Sequence, residues 1–159
     1  MSSEISVTLP VEPMPKLRPR FRVVRGRVFT HTPYETKAFE NEVAALYLTR
    51  AKGLKFEAHE PLQVRIEFYL QHPKTFTKKK IQAIDDGLLK HTVKPDLDNL
   101  TKALLDALND IAWHDDAQIV DLQLQFPALI GLGHLDPDFI VFKNHRIVGN
   151  VVIVVDGIV

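Results

Sequence analysis

KPDLDNLTKALLDALNDIAWHDDAQIVDLQLQF, residues 94–126, reads as a turn, a helix, a second turn and a strand. Pro95 forces Lys94 into an extended conformation. From about Asp98 to Asn109, Leu100, Leu104 and Leu108, continued by Ile111, recur at helical spacing and mark a buried side. From Ile119 to Phe126 the period changes to two. Val120, Leu122, Leu124 and Phe126 alternate with Ile119, Asp121, Gln123 and Gln125, the pattern of a strand.

The same reading extends outward. Leu62, Val64, Ile66, Phe68 and Leu70 share one face of a strand, with Gln63, Arg65 and Glu67 on the other. Phe39, Val43, Leu46 and Tyr47 mark a helix that runs to about Arg50 before Gly53, with Thr32 as its N-cap and Pro33 at its first position. Glu4 to Leu9 alternates as a half-buried strand, and Pro10, Pro13, Pro15 and Pro19 then impose an irregular connection. Phe21 to Val24 and Val28 to Thr30 flank Arg25-Gly26-Arg27, a hairpin with glycine in its turn. His72 to Lys94 is a polar connection with room for one short helical turn around Lys79 to Asp85. Phe139 to Phe142 and Arg146 to Val155 supply the last strand or two. This order predicts an α+β sandwich, with two main helices on one face of a mixed, mostly antiparallel sheet. A length of 159 residues suits one domain over residues 1–159.

There is no cysteine, which removes a disulfide framework, thiol catalysis and thiolate metal sites. The start of the chain has no basic and apolar leader pattern, and its longest apolar run, VVIVVDGIV, falls far short of a membrane span, so a cytoplasmic protein is expected. The formal net charge is zero, but the charges are segregated. Lys16, Arg18, Arg20, Arg22, Arg25, Arg27 and Lys37 are opposed only by Glu35. Lys74, Lys78, Lys79 and Lys80 form a second basic cluster. From Asp96 to Asp121 the acids Asp96, Asp98, Asp106, Asp110, Asp115, Asp116 and Asp121 face Lys102 alone. A phosphate-binding surface beside a cation site gives such a sum, and so does a pair of solvated charged faces.

The chemistry concentrates at Asp96, Asp98 and Asp116. An extended approach to the helix would point Asp96 and Asp98 the same way, with Asp98 at the N-cap and Lys102 one turn along. Asp116 introduces the next strand and is expected to return to the same end of the sheet. Converging carboxylates repel unless a cation compensates them, and Mg²⁺ binds through such oxygens. Phosphodiester hydrolysis uses this set, with one or two metals activating water and Lys102 offsetting phosphate charge. An isolated Asp-x-Asp before a helix is more often an N-cap with a solvated neighbour, and Asp-Asp in a loop is commonly a turn. A dehalogenase-type phosphatase would place its Asp-x-Asp directly after an apolar strand, unlike His91-Thr92-Val93-Lys94-Pro95. A glycosyltransferase would need a larger fold. The histidines lack zinc-site spacing, His114 is an exposed or capping residue before it is a general base, and Trp113 reads as core.

The run Lys94-Pro-Asp-Leu-Asp-Asn-Leu-x-Lys102-Ala-x-Leu-Asp106-Ala-Leu, followed by Trp113-His-Asp-Asp-Ala-Gln, resembles the signature of the RusA family of Holliday-junction resolvases, many of them encoded by phages and prophages. Pro73-Lys-x-Phe-x-Lys78-Lys-Lys, His91-Thr-x-Lys-Pro and Arg18-Pro-Arg-Phe with the Gly26 hairpin and Thr32-Pro extend the likeness over roughly residues 5–126. The region after Pro127 matches less clearly. The resemblance implies a homodimeric endodeoxyribonuclease of DNA recombination and repair that nicks four-way junction DNA symmetrically with Mg²⁺, for which Mn²⁺ would substitute. It carries the catalytic acids onto Asp96, Asp98 and Asp116 and the essential lysine onto Lys102, with Asp115 a supporting or alternative ligand. A two-fold junction suits a two-fold dimer. Arg18, Arg20, Arg22, Arg25, Arg27, Lys74, Lys78, Lys79, Lys80 and Lys94 would meet phosphates. Phe76 is a candidate to stack at an opened junction, while Phe21 and Phe29 are expected in the core. The competing readings are a nuclease for other branched phage DNA and a DNA-binding protein without catalysis.

Overall fold

A computed structural model of the chain describes residues 4–126, 129–130, 142–143, 146–147 and 150–158. The strands β1 (Glu4–Leu9), β4 (Leu62–Gln71) and β5 (Ile119–Gln125) form where the two-residue alternation predicts them. The last long strand, β9, covers Asn150–Gly157. β6 (Leu129–Ile130), β7 (Phe142–Lys143) and β8 (Arg146–Ile147) are two-residue strands. The sequence-based strand over 139–142 lies largely outside the described residues. The main sheet runs β1-β9-β4-β5, with β6 beside the end of β4. β1 and β4 both run antiparallel to β9, whereas β5 and β6 run parallel to β4.

Alternation decides which face of this sheet is dry. Ile5, Val7 and Leu9 of β1, Leu62 to Leu70 of β4 at every second residue, and Val151, Ile153 and Val155 of β9 are buried on one side. Helices α1 (Tyr34–Arg50) and α3 (Leu97–Leu108) cover that side. Phe39, Val43 and Tyr47 of α1 meet a stripe of Leu100, Leu104 and Leu108 on α3. The small Ala103 and Ala107 are also buried on α3, which lets the two helices approach closely. The opposite sheet face is polar: Gln63 donates to Asp121 (2.7 Å), and Glu67 accepts from Gln125 (2.6 Å) and Tyr69 (2.8 Å). Sheet and helices thus form the predicted α+β arrangement. A third, shorter helix, α2 (Lys78–Asp85), stands where one helical turn was expected, capped by Thr77, whose hydroxyl accepts from the Lys80 N–H.

Three local expectations need correction. Thr32 does not cap α1; Pro33 occupies the cap position and no side chain caps the helix. Asp98 is not the cap of α3 either. The helix already begins at Leu97, so Asp96 stands at the cap position and Asp98 lies in the first turn. Helical winding, not strand alternation, therefore sets the direction of Asp98 relative to Asp96. The third concerns the hairpin of β2 (Arg20–Val24) and β3 (Arg27–His31), which closes through Arg25 and Gly26, both at positive φ as its twist requires. Phe21 and Phe29 are not core: they are 73% and 53% exposed, and Val23 and Val28 are 68% and 66% exposed. The alternation is real, but among the described residues no element covers either face of the ribbon.

Candidate active site

Asp96 has the backbone of an N-cap (φ −84°, ψ 149°) without using its carboxylate as one. Its Oδ1 instead accepts from the Asn99 side-chain amide at 3.3 Å. Capping therefore leaves this carboxylate without an explanation. Asp98 and Lys102 are both exposed, four residues apart on one face of α3, and neither side chain has a hydrogen bond or ion pair among the described residues. The start of α3 is pinned from outside. The Lys16 N–H donates to the Asn99 carbonyl at 3.2 Å, and the Lys16 ammonium pairs with Asp106 two turns further along the helix.

The second acid pair is built differently. Asp116–Gln118 is a single 3-10 turn, and Asp115 caps it, its Oδ1 accepting from the Ala117 N–H at 2.8 Å. Gln118 completes the turn. Its Oε1 accepts from the N–H groups of His114 (2.8 Å) and Asp115 (3.2 Å), while its Nε2 donates to the carbonyls of Glu57 (2.8 Å) and Glu60 (3.0 Å). Buried Gln118 thus spends both donors and two acceptor sites locking the turn onto the approach to β4. Asp115 is partly consumed by this scaffold, whereas the carboxylate of exposed Asp116 has no partner among the described residues. Trp113, fully buried as expected, anchors the same loop. Gln118 is the residue that sequence reasoning left without a role. The Asp-x-x-Gln spacing of Asp115 to Gln118, a capping-box pattern, was the available signal.

The two halves do not meet within one chain. β4 and β5 are parallel, pairing Leu62 with Ile119 and Glu67 with Gln125, so α3 must run back along the sheet before β5 can start. Asp96 shares a cleft with Leu70 and Gln71 at the end of β4. Asp116 follows the far end of α3, next to the turn at Glu57 and Glu60 where β4 begins. The expectation that Asp116 returns to the end occupied by Asp96 is thereby overturned. Among the described residues, no three histidine, aspartate or glutamate side chains are grouped closely enough to hold a metal ion.

The basic residues gather at the Asp96 end and on the hairpin. Arg18 and Lys94 line the cleft beside Asp96. Arg20, Arg22, Arg25 and Arg27 are exposed along the ribbon, and Lys74 is exposed in the turn after β4. Lys78, Lys79 and Lys80 form the first turn of α2, which carries no acid. Cations there oppose the helix dipole, so the arrangement does not serve the stability of the helix. An anion bound at that end would reverse the sign of the interaction.

The family model described as endodeoxyribonuclease RusA matches residues 10–132. The chain belongs to the RusA family. It is also 34% identical, over 122 residues, to the uncharacterized protein YqaN of Bacillus subtilis (strain 168), a match covering 76% of this chain and 84% of that one. The RusA match takes in both acid pairs, Lys102, the hairpin and the lysine-rich connection. The family supplies nucleases that resolve Holliday junctions, act on junction DNA and depend in general on divalent metal. The exposed carboxylates present here suit such a hard cation, although the described residues of one chain do not assemble the full set. None of the described helices is long and apolar enough to cross a membrane.

Proposed function

We propose that this chain is the subunit of a homodimeric, Mg²⁺-dependent endonuclease that resolves Holliday junctions, with Asp96, Asp98, Lys102 and Asp116 as its catalytic residues. The observation that carries the proposal is the pair of exposed, unpartnered groups Asp98 and Lys102 on α3, beside an Asp96 that is not spent on capping. Because Asp116 lies at the other end of α3, each complete site would join Asp96, Asp98 and Lys102 of one subunit to Asp116 of its partner. A two-fold axis then generates two equivalent sites, one for each of two symmetric nicks.

The carboxylates of Asp96, Asp98 and Asp116 would hold the metal, for which Mn²⁺ is a substitute. Bound there, the ion would supply an activated water and charge stabilisation at the phosphate. Lys102 places an ammonium one turn from Asp98, where it offsets charge on the leaving oxygen. Asp115 supports Asp116 through the capped turn. The hairpin arginines, Arg18, Lys74, Lys78, Lys79, Lys80 and Lys94 engage phosphates, which gives affinity without sequence information. Such an enzyme would act in recombination and repair of DNA in the cytoplasm.

The test is a labelled synthetic four-way junction and a linear duplex of matching sequence, incubated with Mg²⁺ or with EDTA. Paired symmetric nicks in the junction alone are expected, lost with EDTA and in Asp98→Asn. Asp96→Asn is expected to keep or tighten junction binding, since it removes a charge facing phosphate, while cleavage disappears. Tight binding by the wild type with no cleavage in Mg²⁺ or Mn²⁺ would replace this reading with that of a DNA-binding protein. Equal cutting of junction and duplex would leave a nuclease without junction selectivity.

A further inference from the structure

A cleft of about 1050 Å³ opens beside Asp96, between the proline-rich connection, the end of β4 and the approach to α3. Small-molecule sites occupy roughly 300–1,000 Å³, so the cleft is large enough for one nucleotide. Its lining combines an apolar and aromatic wall with cations and two carboxylates, those of Glu12 and Asp96. Phe76, His91 and Val93, with several prolines, make an apolar and aromatic wall. Arg18 and Lys94 add two cations, both exposed and free of ion pairs among the described residues. Asp96 belongs to the same lining, so whatever fills the cleft lies next to the candidate acids.

The walls are held in place without a ligand. The Lys80 ammonium sits over the Phe76 ring, 3.8 Å from its centroid, and the Phe76 N–H donates to the Pro73 carbonyl at 3.0 Å. His91 donates through Nε2 to the Pro95 carbonyl at 2.9 Å and packs its ring against Phe126 at 4.4 Å. The proline-rich side is tied to α3 by the two Lys16 contacts. A pocket set up in advance loses little ordering entropy when it fills.

We propose that this cleft receives one unstacked nucleotide of the junction strand, its base against Phe76 and its phosphate between Arg18 and Lys94. The proposal rests on the nuclease reading given above. A free anion would need the two cations but no aromatic wall. A stacked base pair is closed to side chains on both its faces, whereas an extrahelical base offers a flat π surface to an aromatic ring. Base pairs that flank the point of strand exchange lose a stacking neighbour when a four-way junction opens, so a base is least costly to unstack there. The carboxylates of Glu12 and Asp96 in the lining repel a phosphate, so occupancy should rise when a divalent cation is present.

The test uses four-way junctions carrying 2-aminopurine at successive positions around the exchange point, with the full chain in Ca²⁺ buffer. Fluorescence reports unstacking, and anisotropy of a distal dye reports binding in the same sample. The wild type is expected to brighten one position severalfold on each of two opposite strands. Phe76→Leu, which keeps apolar bulk, should bind the junction without that rise. Phe76→Trp should retain it, and Arg18→Gln should weaken it. A wild type that binds the junction while no position brightens would overturn the pocket and leave the nuclease reading standing. So would a Phe76→Leu variant that brightens as fully as the wild type. A wild type that fails to bind any junction would overturn the nuclease reading, and the pocket with it.

Discussion

Asp96 stands at the head of α3 and Asp116 beyond its tail, so a 12-residue helix, about 18 Å at 1.5 Å per residue, separates the two acids within one chain. If partners complete each other's sites, Asp98→Asn and Asp116→Asn homodimers should both be inactive. Mixed and allowed to exchange, they should recover. Random pairing gives half heterodimers with one intact site each, about a quarter of the wild-type sites, and single nicks in place of paired ones. Sites built within one subunit would leave every site of the mixture defective, and no activity would return.

Gln118 makes four hydrogen bonds from a buried position, two of them to the carbonyls of Glu57 and Glu60. Gln118→Leu should cost about 2–4 kcal/mol, because it leaves those polar groups without partners. Asp115→Ala, losing only a cap, should cost about 1 kcal/mol. Urea unfolding followed by the fluorescence of Trp113, the one tryptophan of the chain, measures both. A Gln118→Leu midpoint as high as that of Asp115→Ala would contradict the assigned role.

The buried Tyr47 donates to the Leu54 carbonyl at 3.2 Å, and burial pushes its phenol from 10.0 up to about 12. A group whose folded pKa is raised contributes stability that is present below its unfolded pKa and lost as pH climbs through the folded one. Stability should therefore fall between about pH 10 and pH 12. Tyr47→Phe should be less stable at neutral pH by about 0.5–1.5 kcal/mol, through the lost hydrogen bond. Its alkaline decline should be shallower than that of the wild type. Parallel declines in denaturation midpoints across that range would remove Tyr47 as the cause.

How much of this was legible in the sequence depended on whether the cause was local. The alternation of β1 and β4 and the leucine stripe of α3 each encode one buried face, and each element forms there; β5 forms as a strand where expected, but its Val120 and Leu122 are exposed. Periodicity tells which residues share a face but not whether anything covers it. Phe21 and Phe29 therefore read as core while standing in solvent. The separation of Asp116 from Asp96 follows from the parallel pairing of β4 with β5, a long-range contact that no local spacing encodes. Helix starts shifted by one or two residues, to Pro33 and Asp96, and at neither does a side-chain cap bond fix the start.

The β2–β3 ribbon gives the last prediction. Its register puts Arg20, Arg22 and Arg27 on one face, with Phe29, and puts Phe21, Val23 and Val28 on the other. All of these side chains are exposed, so replacing the three arginines by glutamine should leave the unfolding midpoint unchanged. If they meet phosphates, each lost contact should lower the slope of log affinity against log salt by about 0.9 for duplex arms. The triple variant should therefore lose a slope of roughly 2–3, with similar losses on junction and duplex, because phosphate contacts read neither sequence nor branching directly. Titrations of junction binding across a salt series measure this. An unchanged slope would take the ribbon off the DNA surface and leave the Asp96 cleft and α2 as its basic elements.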